Sequence, residues 1–319
     1  MKIVVLDRPR ENPNEMDWSA LNDFGDVTIY DRSAPEQVID RIGDAEIVML
    51  NKAIVTAEAF EKCPNIKFIS VIGTGYNIVD VEAARTHGVP VSNVPSYGTE
   101  AIAQHAIALL LEITNHVGYH DGEVRKLRNG GANDWCFWDY PSIELENKTM
   151  GIIGLGRIAK YTARIAAAMG MHVIAYDVFH DPTMENTVEY VDLNDLYARS
   201  DVVVLHCPLF ADNERMINRE SIAKMKDGVI FINNSRGALM DEEAVAEALI
   251  SGKMYAAGID AITNEPITAD NPLLHAPNVY LTPHISWAAL ECRTRLKDCA
   301  IDNVRAYITG APKNIVNGL

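Results

Sequence analysis

A glycine-containing turn near the middle of the chain constrains its fold more than any other stretch. The apolar run Met150–Ile153 predicts a buried strand, and the alanine-rich stretch Arg157–Met169 predicts the helix that follows it. Between them, Gly154 and Gly156 begin the spacing G-x-G-x-x-A. A second apolar run ends at Asp177, roughly twenty residues beyond the glycines. This order of strand, turn, helix and strand is typical of a dinucleotide-binding βαβ unit.

Each residue of this unit has a physical role toward a dinucleotide. Gly154 allows the tight turn, and Gly156 lets the backbone approach a pyrophosphate, whose charge the helix N-terminus stabilises. Ala159 replaces the third glycine, which close packing of helix on strand tolerates. Asp177 is placed to accept hydrogen bonds from the adenosine ribose, and its charge would repel a 2′-phosphate. The unit therefore predicts NAD rather than NADP.

Charge and cysteine usage narrow the classes of partner. With 28 basic and 44 acidic residues the formal net charge is −16, which makes nucleic acid and anionic membrane poor partners. No apolar stretch approaches the length of a membrane span, and the opening apolar run is too short for a signal peptide. Five scattered cysteines lack metal-ligand spacing, so we expect reduced thiols, no metal site and a cytoplasmic protein. They are Cys63, Cys136, Cys207, Cys292 and Cys299.

Short apolar runs alternate with helical stretches along most of the chain, which predicts parallel strands joined by crossover helices. In the first part, strands are predicted at Ile3–Leu6, Val27–Tyr30, Ile47–Leu50, Phe68–Ile72 and Val91–Val94. In the second part they are predicted at Met150–Ile153, Val173–Tyr176, Val202–Leu205, Val229–Asn233, Ala257–Asp260 and Val279–Leu281. A long apolar helix, from Glu100 to about Val117, must be buried along much of its length, and we interpret it as a spine joining two domains.

The stretch from 118 to 148 has no clear periodicity and is predicted to be irregular. It contains Asn129-Gly130-Gly131 and an aromatic cluster formed by Trp135, Phe137, Trp138 and Tyr140. We interpret the cluster as surface packing or a subunit contact, in preference to a contact with substrate.

Reactive side chains follow the predicted strands of the second part. Ligands of an open parallel sheet bind beyond the carboxyl ends of its strands. The residues at those ends are Gly154 to Arg157, Asp177, His206 to Pro208, Asn234 to Gly237, Asp260 with Glu265, and Pro283-His284. Among them, Arg236 could bind a carboxylate with two parallel hydrogen bonds and polarise a carbonyl, and its alternative is a structural ion pair.

His284 and Glu265 are best interpreted as a couple. A carboxylate beside an imidazole favours the imidazolium, which can protonate an alkoxide as hydride arrives and take the proton back in reverse. His206 lies at the same predicted rim. The spacing alone does not choose between His284 and His206 as the acid and base.

Several motifs together resemble the D-isomer-specific 2-hydroxyacid dehydrogenases, and the resemblance covers nearly the whole chain. The motifs are Val71 to Asn77, Gly154 to Ala159, Asn234 to Ala238, Gly258-Ile-Asp260, Glu265-Pro266 and Pro283-His284-Ile285. The resemblance implies that Arg236, Glu265 and His284 form the catalytic set. His284 would be the acid and base, Glu265 its partner, and Arg236 the clamp on the substrate carboxylate and carbonyl.

The same resemblance implies the remaining contacts and the architecture. The N–H groups of Gly73, Thr74 and Gly75 would bind the substrate carboxylate, and Asp260 would hold the nicotinamide amide. Contacts with NAD would come from Thr74, Gly154, Gly156, Arg157, Ile158, Asp177, Cys207, Pro208, Asn234, Ser235, Arg236, Asp260 and His284. An NAD-binding Rossmann domain, 99–286, would be inserted into a flavodoxin-like substrate domain formed by 1–98 and 287–319, both doubly wound α/β domains with parallel sheets. The protein would be a homodimer whose domains close over a small 2-hydroxy or 2-keto acid and exclude water.

Within the family, four segments are most similar to the glycerate dehydrogenase branch, which also reduces hydroxypyruvate or glyoxylate. They are Asn51-Lys52, Gly75-Tyr76-Asn77, Pro95 to Thr99 and His284 to Trp287. D-3-Phosphoglycerate and D-lactate remain alternative substrates, and a phosphate would need more cations than Lys52. An NAD-sensing protein of the corepressor type is the alternative from another class.

Overall fold

The computed structural model describes residues 1–9, 15–126 and 136–319, which fold as two compact units. The first unit is discontinuous and consists of Met1–Gly98 with Ala288–Leu319. The second unit consists of Thr99–Trp287. No helix within the described ranges has both the length and the apolar character required to cross a membrane.

The first unit is built on a five-stranded parallel sheet. Its strands are β1 Lys2–Val5, β2 Asp26–Ile29, β3 Ile47–Leu50, β4 Phe68–Val71 and β5 Val91–Ser92, in the order β2-β1-β3-β4-β5. This is the order of a flavodoxin-like doubly wound sheet. Every residue of β3 and β4 is buried, because helices cover both faces of a parallel sheet. The helices are α1 Val38–Ile42, α2 Ala57–Lys62, α3 Val81–Thr86 and, from the C-terminal segment, α10 Leu290–Ile308.

The second unit has a seven-stranded parallel sheet. Its strands are β6 Thr149–Ile153, β7 His172–Tyr176, β8 Glu189–Tyr190, β9 Val202–Leu205, β10 Val229–Asn233, β11 Met254–Ile259 and β12 Val279–Leu281. They lie in the order β12-β11-β10-β9-β6-β7-β8, which is the Rossmann order with one added strand. The order reverses between β6 and β9, so the topological switch point, where such sheets bind ligands, lies at their carboxyl ends.

Helices pack on both faces of this larger sheet. They are α4 Thr99–Asn115, α5 Val117–Lys126, α6 Arg157–Ala168, α7 Leu193–Arg199, α8 Arg219–Lys224 and α9 Glu242–Ser251. The buried face of α4 joins one core cluster with Ala159, Ala163 and Ala166 of α6. These small alanine side chains let α6 lie close to its neighbours, and that packing holds the glycine turn before α6 in place.

The two doubly wound α/β sheets confirm the predicted fold class, and three differences from the predicted elements have physical causes. The edge strand β8 was not predicted, because two residues carry no recognisable period. Residues 117–126 form the helix α5 where an irregular stretch was expected. The predicted spine helix α4 belongs to the second unit, since its apolar face packs on α6 and on strands of that unit. Residues 129–131 and Trp135 lie outside the described residues.

Candidate active site

The turn after β6 can be formed only by glycine at its first position. Gly154 has a φ of +88°, and a Cβ there would lie 2.7 Å from the backbone N and Cα of Cys207, which follows β9. The turn therefore packs directly against the neighbouring strand end at the switch point. Gly156 occupies the N-cap of α6 and offers no capping side chain, and a Cβ there would meet no described atom within 4 Å. The backbone at Gly156 therefore leaves room for a close approach, and the first N–H groups of α6, which have no carbonyl partner within the helix, fit a pyrophosphate.

Asp177 lies at the carboxyl end of β7 and is tied to the glycine turn. Its Oδ2 accepts a hydrogen bond from the Leu155 N–H at 2.5 Å, and its Oδ1 accepts one from the Phe179 N–H at 2.8 Å. The residue is half-buried, and each oxygen keeps a lone pair for a further donor. This ordered carboxylate fits the ribose hydroxyls of NAD. Arg157 and Ile158 begin α6 beside it, and Pro208 is exposed beyond β9.

Burial makes two groups beyond β9 unsuited to proton transfer at neutral pH. It lowers the pKa of His206 to about 4, so this imidazole is neutral, with its Nε2 hydrogen-bonded to Thr162 Oγ1 at 2.8 Å. Burial also raises the pKa of the Cys207 thiol to about 11. His206 is therefore a structural residue behind the turn. Across the described ranges, no group of three or more His, Cys, Asp or Glu side chains could hold a metal ion.

Arg236 is presented by a turn that follows β10. The Asn233 amide donates to the Arg236 carbonyl at 2.9 Å, and Ser235 Oγ donates to the Cys207 carbonyl at 2.6 Å. Gly237 is required because a Cβ there would lie 1.9 Å from the backbone of Ile262. Glycine at this position therefore serves close packing.

The Arg236 guanidinium is available for a ligand. The residue is exposed, and the one hydrogen bond found for its side chain in the described part of the chain is from Nη1 to the carbonyl of Ser235, at 2.9 Å. It forms no ion pair with any described residue, so the alternative of a structural salt bridge is not observed. The fork of N–H donors can therefore receive a carboxylate.

Asn234 supplies a buried acceptor that lacks a partner. Its Nδ2 donates to the Ile102 carbonyl at 2.9 Å and approaches Ser286 Oγ at 3.4 Å. Its Oδ1 is buried and has no hydrogen-bond partner among the described residues. An unpaired buried acceptor is costly, and an amide N–H of a bound ligand would satisfy it. The nicotinamide carboxamide of NAD carries such a donor, so this residue also fits the cofactor.

His284 and Glu265 form the pair that was expected from the sequence. The His284 Nδ1 lies 2.7 Å from Glu265 Oε1 and 2.8 Å from Oε2, and the two side chains are 27% and 32% exposed. Because the ionised carboxylate only accepts, Nδ1 carries a proton. Nε2 points away from Glu265 and makes no hydrogen bond with the described part of the chain, so it is available for proton transfer. His284 has a φ of +54°, a left-handed conformation that costs roughly 1–2 kcal/mol in a residue other than glycine.

Asp260 holds the loop that carries His284. It is almost fully buried, and its carboxylate accepts hydrogen bonds from the N–H groups of Ile285 and Ser286 at 2.8 and 2.9 Å. It also accepts from Thr282 Oγ1 at 2.6 Å and Ser286 Oγ at 2.5 Å. Burial opposes the charge of Asp260, but these hydrogen bonds outweigh it and lower the pKa of the carboxyl. In this structure its oxygens thus accept hydrogen bonds from residues 282–286, whereas the family resemblance implied a contact with the nicotinamide amide.

In the first unit, the loop after β4 contains the other predicted substrate residues. Thr74 Oγ1 donates to the Val94 carbonyl at 2.7 Å, the Asn93 amide donates to the Thr74 carbonyl at 2.8 Å, and the Val94 N–H donates to the Gly73 carbonyl at 2.9 Å. These bonds fix the backbone of Gly73 to Gly75 at the carboxyl end of β4.

Four residues that hold the site had no role assigned to them from the sequence: His105, Glu242, Thr282 and Ser286. Glu242 accepts from the Thr263 N–H at 2.6 Å and from the Asn271 amide at 2.7 Å, and so anchors the loop that carries Glu265. Thr282 and Ser286 flank His284 in the sequence, but polar residues beside a histidine are too common to signal a role. His105 and Glu242 are far from the loops they serve in the chain, and only the folded structure relates them.

Comparisons with known proteins agree with this geometry. Residues 107–286 match the D-isomer specific 2-hydroxyacid dehydrogenase, NAD binding domain, which is more than half of the chain. The chain is 53% identical over 321 residues to hydroxypyruvate reductase of Blautia hydrogenotrophica, covering 99% of this chain and 100% of the relative. It is 35% identical over 318 residues to glycerate dehydrogenase of Methylorubrum extorquens, covering 99% and 98%.

Solved structures lead to the same family. D-Lactate dehydrogenase from Aquifex aeolicus, complexed with NAD and lactic acid, superposes with a TM-score of 0.85 at 27% identity and covers 100% of both chains. The second unit of this chain, with its Rossmann strand order and glycine turn, is accordingly an NAD-binding domain. The chain belongs to the D-isomer specific 2-hydroxyacid dehydrogenases.

Proposed function

We propose that this enzyme interconverts hydroxypyruvate and D-glycerate, with glyoxylate as a further substrate. The observation that supports the chemistry is the His284–Glu265 pair, which leaves His284 Nε2 free in a unit that also presents the exposed guanidinium of Arg236. The substrate follows from the 53% identity to a hydroxypyruvate reductase over the full length of both chains.

The catalytic set acts on the oxygen and the carboxylate of the substrate. NAD(H), when bound, supplies or accepts the hydride. His284 donates a proton from Nε2 to the carbonyl oxygen during reduction and takes it from the hydroxyl during oxidation. Glu265 stabilises the charged imidazolium and fixes its ring through Nδ1. Arg236 binds the substrate carboxylate and polarises the carbonyl.

The remaining predicted contacts stay part of this proposal. For the cofactor they are Thr74, Gly154, Gly156, Arg157, Ile158, Asp177, Cys207, Pro208, Asn234, Ser235, Arg236, Asp260 and His284. For the substrate carboxylate they are the N–H groups of Gly73, Thr74 and Gly75. The domain assignment is 99–286 for the cofactor and 1–98 with 287–319 for the substrate.

The strand ends of the first unit support a substrate without phosphate. A phosphate carries up to two charges and favours several cations. Arg8 follows β1 and lies 2.7 Å from the Asp31 carboxylate. Lys52 follows β3 and is exposed, with its backbone N–H held by the Asp7 carboxylate at 2.6 Å. At the ends of these two inner strands, β1 and β3, one exposed lysine suits a small uncharged substituent better than a phosphate ester.

A panel of keto acids tests this proposal. Purified protein should oxidise NADH fastest with hydroxypyruvate, then glyoxylate, and more slowly with pyruvate and 3-phosphohydroxypyruvate, as followed by NADH absorbance. If kcat/KM were highest with 3-phosphohydroxypyruvate or pyruvate, that compound would be the substrate, and the assigned reaction class would stay the same. NADH binding without turnover of any keto acid would instead favour the NAD-sensing protein.

Asp177 should determine the preference for NADH over NADPH. Replacing Asp177 by alanine removes hydrogen-bond acceptors for the ribose and the charge that repels a 2′-phosphate. We expect the Kd of NADH to rise about 10-fold, as for the loss of a charged hydrogen bond, while that of NADPH changes little or falls. Titration of cofactor fluorescence measures both constants. Equal losses for the two cofactors would contradict the assigned ribose contact. Asp181→Ala, a nearby aspartate whose carboxylate pairs with Lys160, is the matched control.

We also propose that the protein is a cytoplasmic homodimer. Phe137, Trp138 and Tyr140 are 37%, 69% and 39% exposed, and the ring of Tyr140 lies edge-on to that of Tyr119 with centroids 4.9 Å apart. Such an exposed aromatic surface is typical of a subunit contact. All five cysteines are free, as a reducing compartment requires. Sedimentation velocity should give twice the chain mass of 35.2 kDa. A species with the mass of one chain at micromolar protein concentration would exclude the dimer.

A further inference from the structure

A hydrogen-bonded chain of three side chains connects helix α4 to the loop that carries His284. His105 of α4 lies with its Nε2 3.1 Å from Thr282 Oγ1 and 3.7 Å from Asp260 Oδ1. Thr282 Oγ1 in turn lies 2.6 Å from Asp260 Oδ1. The His105 side chain is 20% exposed and the Asp260 side chain is fully buried. The contacts are thus made away from bulk solvent, where hydrogen bonds are stronger.

The chemistry of the three groups gives the chain a direction. An ionised carboxylate has no proton to donate, so the single hydroxyl proton of Thr282 is directed to Asp260. The Thr282 oxygen can then only accept from His105, and His105 must carry its proton on Nε2. The order of donation is therefore His105 to Thr282 to Asp260. A side chain at position 105 that lacks an N–H donor would break the chain at its first bond.

Asp260 is the point at which this chain reaches the catalytic histidine. Its two oxygens accept from the N–H groups of Ile285 and Ser286, the two residues after His284. Its carbonyl accepts from the His284 N–H at 2.9 Å. His284 is thus held on both sides by one residue while it occupies a left-handed conformation that its backbone disfavours. Loss of a donor to Asp260 would let the carboxylate, and with it this loop, move.

We propose that His105 and Thr282 are positioning residues that fix His284 through Asp260. Neither side chain touches the reacting atoms. Together they set the direction of His284 Nε2 for proton transfer, where a displacement of about 1 Å can cost roughly 100-fold in rate. The proposal rests on the assigned role of His284 as the acid and base. In this proposal Asp260 holds the loop that carries His284, in addition to any contact that it makes with the cofactor.

Two substitutions test the chain at different bonds. Thr282→Val keeps the shape of the side chain and removes the hydroxyl, and His105→Phe keeps a ring and removes the donor. For each we expect the single-turnover rate of NADH oxidation by hydroxypyruvate to fall about 10-fold. The KM for hydroxypyruvate and the Kd for NADH should stay within about 2-fold. His105→Gln places an amide N–H near the position of Nε2 and should restore the rate to within about 3-fold of the wild type.

A matched control separates positioning from stability. Thr114 is a buried threonine of α4, the helix that also carries His105. Its hydroxyl donates to the Leu110 carbonyl at 2.9 Å. Thr114→Val should lower Tm by as much as Thr282→Val does but leave the single-turnover rate unchanged. Equal rates for Thr282→Val and Thr114→Val would show that the chain serves stability alone. A weaker Kd for NADH at an unchanged rate would show that Asp260 serves the cofactor.

The same series separates this inference from the proposed function. If the wild type turns over and His284→Ala does not, while Thr282→Val and His105→Phe react at the full rate, only the positioning proposal is overturned. Absence of keto-acid turnover in the wild type, or full activity of His284→Ala, overturns both. If the rate falls in His105→Phe and is not restored in His105→Gln, the hydrogen-bond donor of His105 is not what fixes the loop. His105 is then not a positioning residue, and only Thr282 keeps that role.

Discussion

Replacing His284 by alanine is expected to lower kcat by about 10²–10⁴-fold, the usual contribution of a positioned general acid and base. The imidazole carries a proton on Nδ1, bound to Glu265, and its Nε2 is free to transfer the second proton. Without it, water must protonate the substrate oxygen. The measurement is the steady-state rate of NADH oxidation with hydroxypyruvate. The Kd for NADH should change far less than kcat, because removal of a proton donor acts mainly on the transition state.

His206 provides the matched control for this substitution. It lies beyond strand β9 of the same sheet, but burial lowers its pKa to about 4 and its Nε2 is bound to Thr162. His206→Gln can keep that hydrogen bond, and we expect kcat within about 2-fold of the wild type. A large loss in His206→Gln with an active His284→Ala would reverse the assignment of the catalytic histidine. The kcat of Glu265→Gln should lie between those of His284→Ala and His206→Gln, because the ring stays oriented but the charge that stabilises the imidazolium is lost.

Replacing Arg236 by lysine is expected to lower kcat/KM by about 10²-fold, even though the charge is kept. A lysine ammonium is a point charge and cannot make the two parallel hydrogen bonds by which a guanidinium binds a carboxylate. Arg236→Ala removes the charge as well and should lower kcat/KM by about 10²–10³-fold. This is within the range for truncating one partner of a hydrogen-bonded charge pair. The substrate KM should rise, and kcat should fall because the carbonyl is no longer polarised.

Two measurements make this prediction specific. Guanidinium ion added at millimolar concentration should restore part of the activity of Arg236→Ala and none of that of His284→Ala. Arg199 is a suitable control, because it makes a bidentate pair with Glu189 at 2.8 and 2.7 Å on the surface of the same unit. Arg199→Lys should leave kcat/KM unchanged, since surface ion pairs contribute little. If Arg236→Lys matched Arg199→Lys, Arg236 would not bind the substrate.

Parts of the structure that depend on local patterns were predicted well. The strands Ile47–Leu50, Val202–Leu205, Val229–Asn233 and Val279–Leu281 have the predicted bounds. Each is a short apolar run between polar or turn residues, so its limits can be read from its neighbours. The glycine turn was predicted for the same reason, because spacing and strand–helix order are properties of adjacent residues. The parallel arrangement followed from the alternation of strands and helices.

Errors arose where the decisive interaction is not local. Helix α5 has weak periodicity and is held in part by contacts with residues further along the chain, such as the hydrogen bond that Tyr119 Oη donates to Asp139 Oδ2 at 2.8 Å. The requirement for glycine at position 237 was not predicted, because it arises from the backbone of Ile262, which lies in the space that a side chain would fill. Neither contact follows from a pattern within a window of a few residues.

The sequence by itself determined the fold class, the NAD-binding unit, and the residue types at the carboxyl ends of the strands. These follow from the hydrophobic period and from turn chemistry, which act over a few residues. The spacing of residues did not distinguish His284 from His206, and the choice of His284 came from the family resemblance. The tertiary structure supplied the physical reason, because burial and a carboxylate partner depend on which strands become neighbours. It alone showed Arg236 exposed, without an ion pair to any described residue, and His105 hydrogen-bonded to Thr282. Contacts between distant residues arise when the sheet assembles, and no local pattern encodes them.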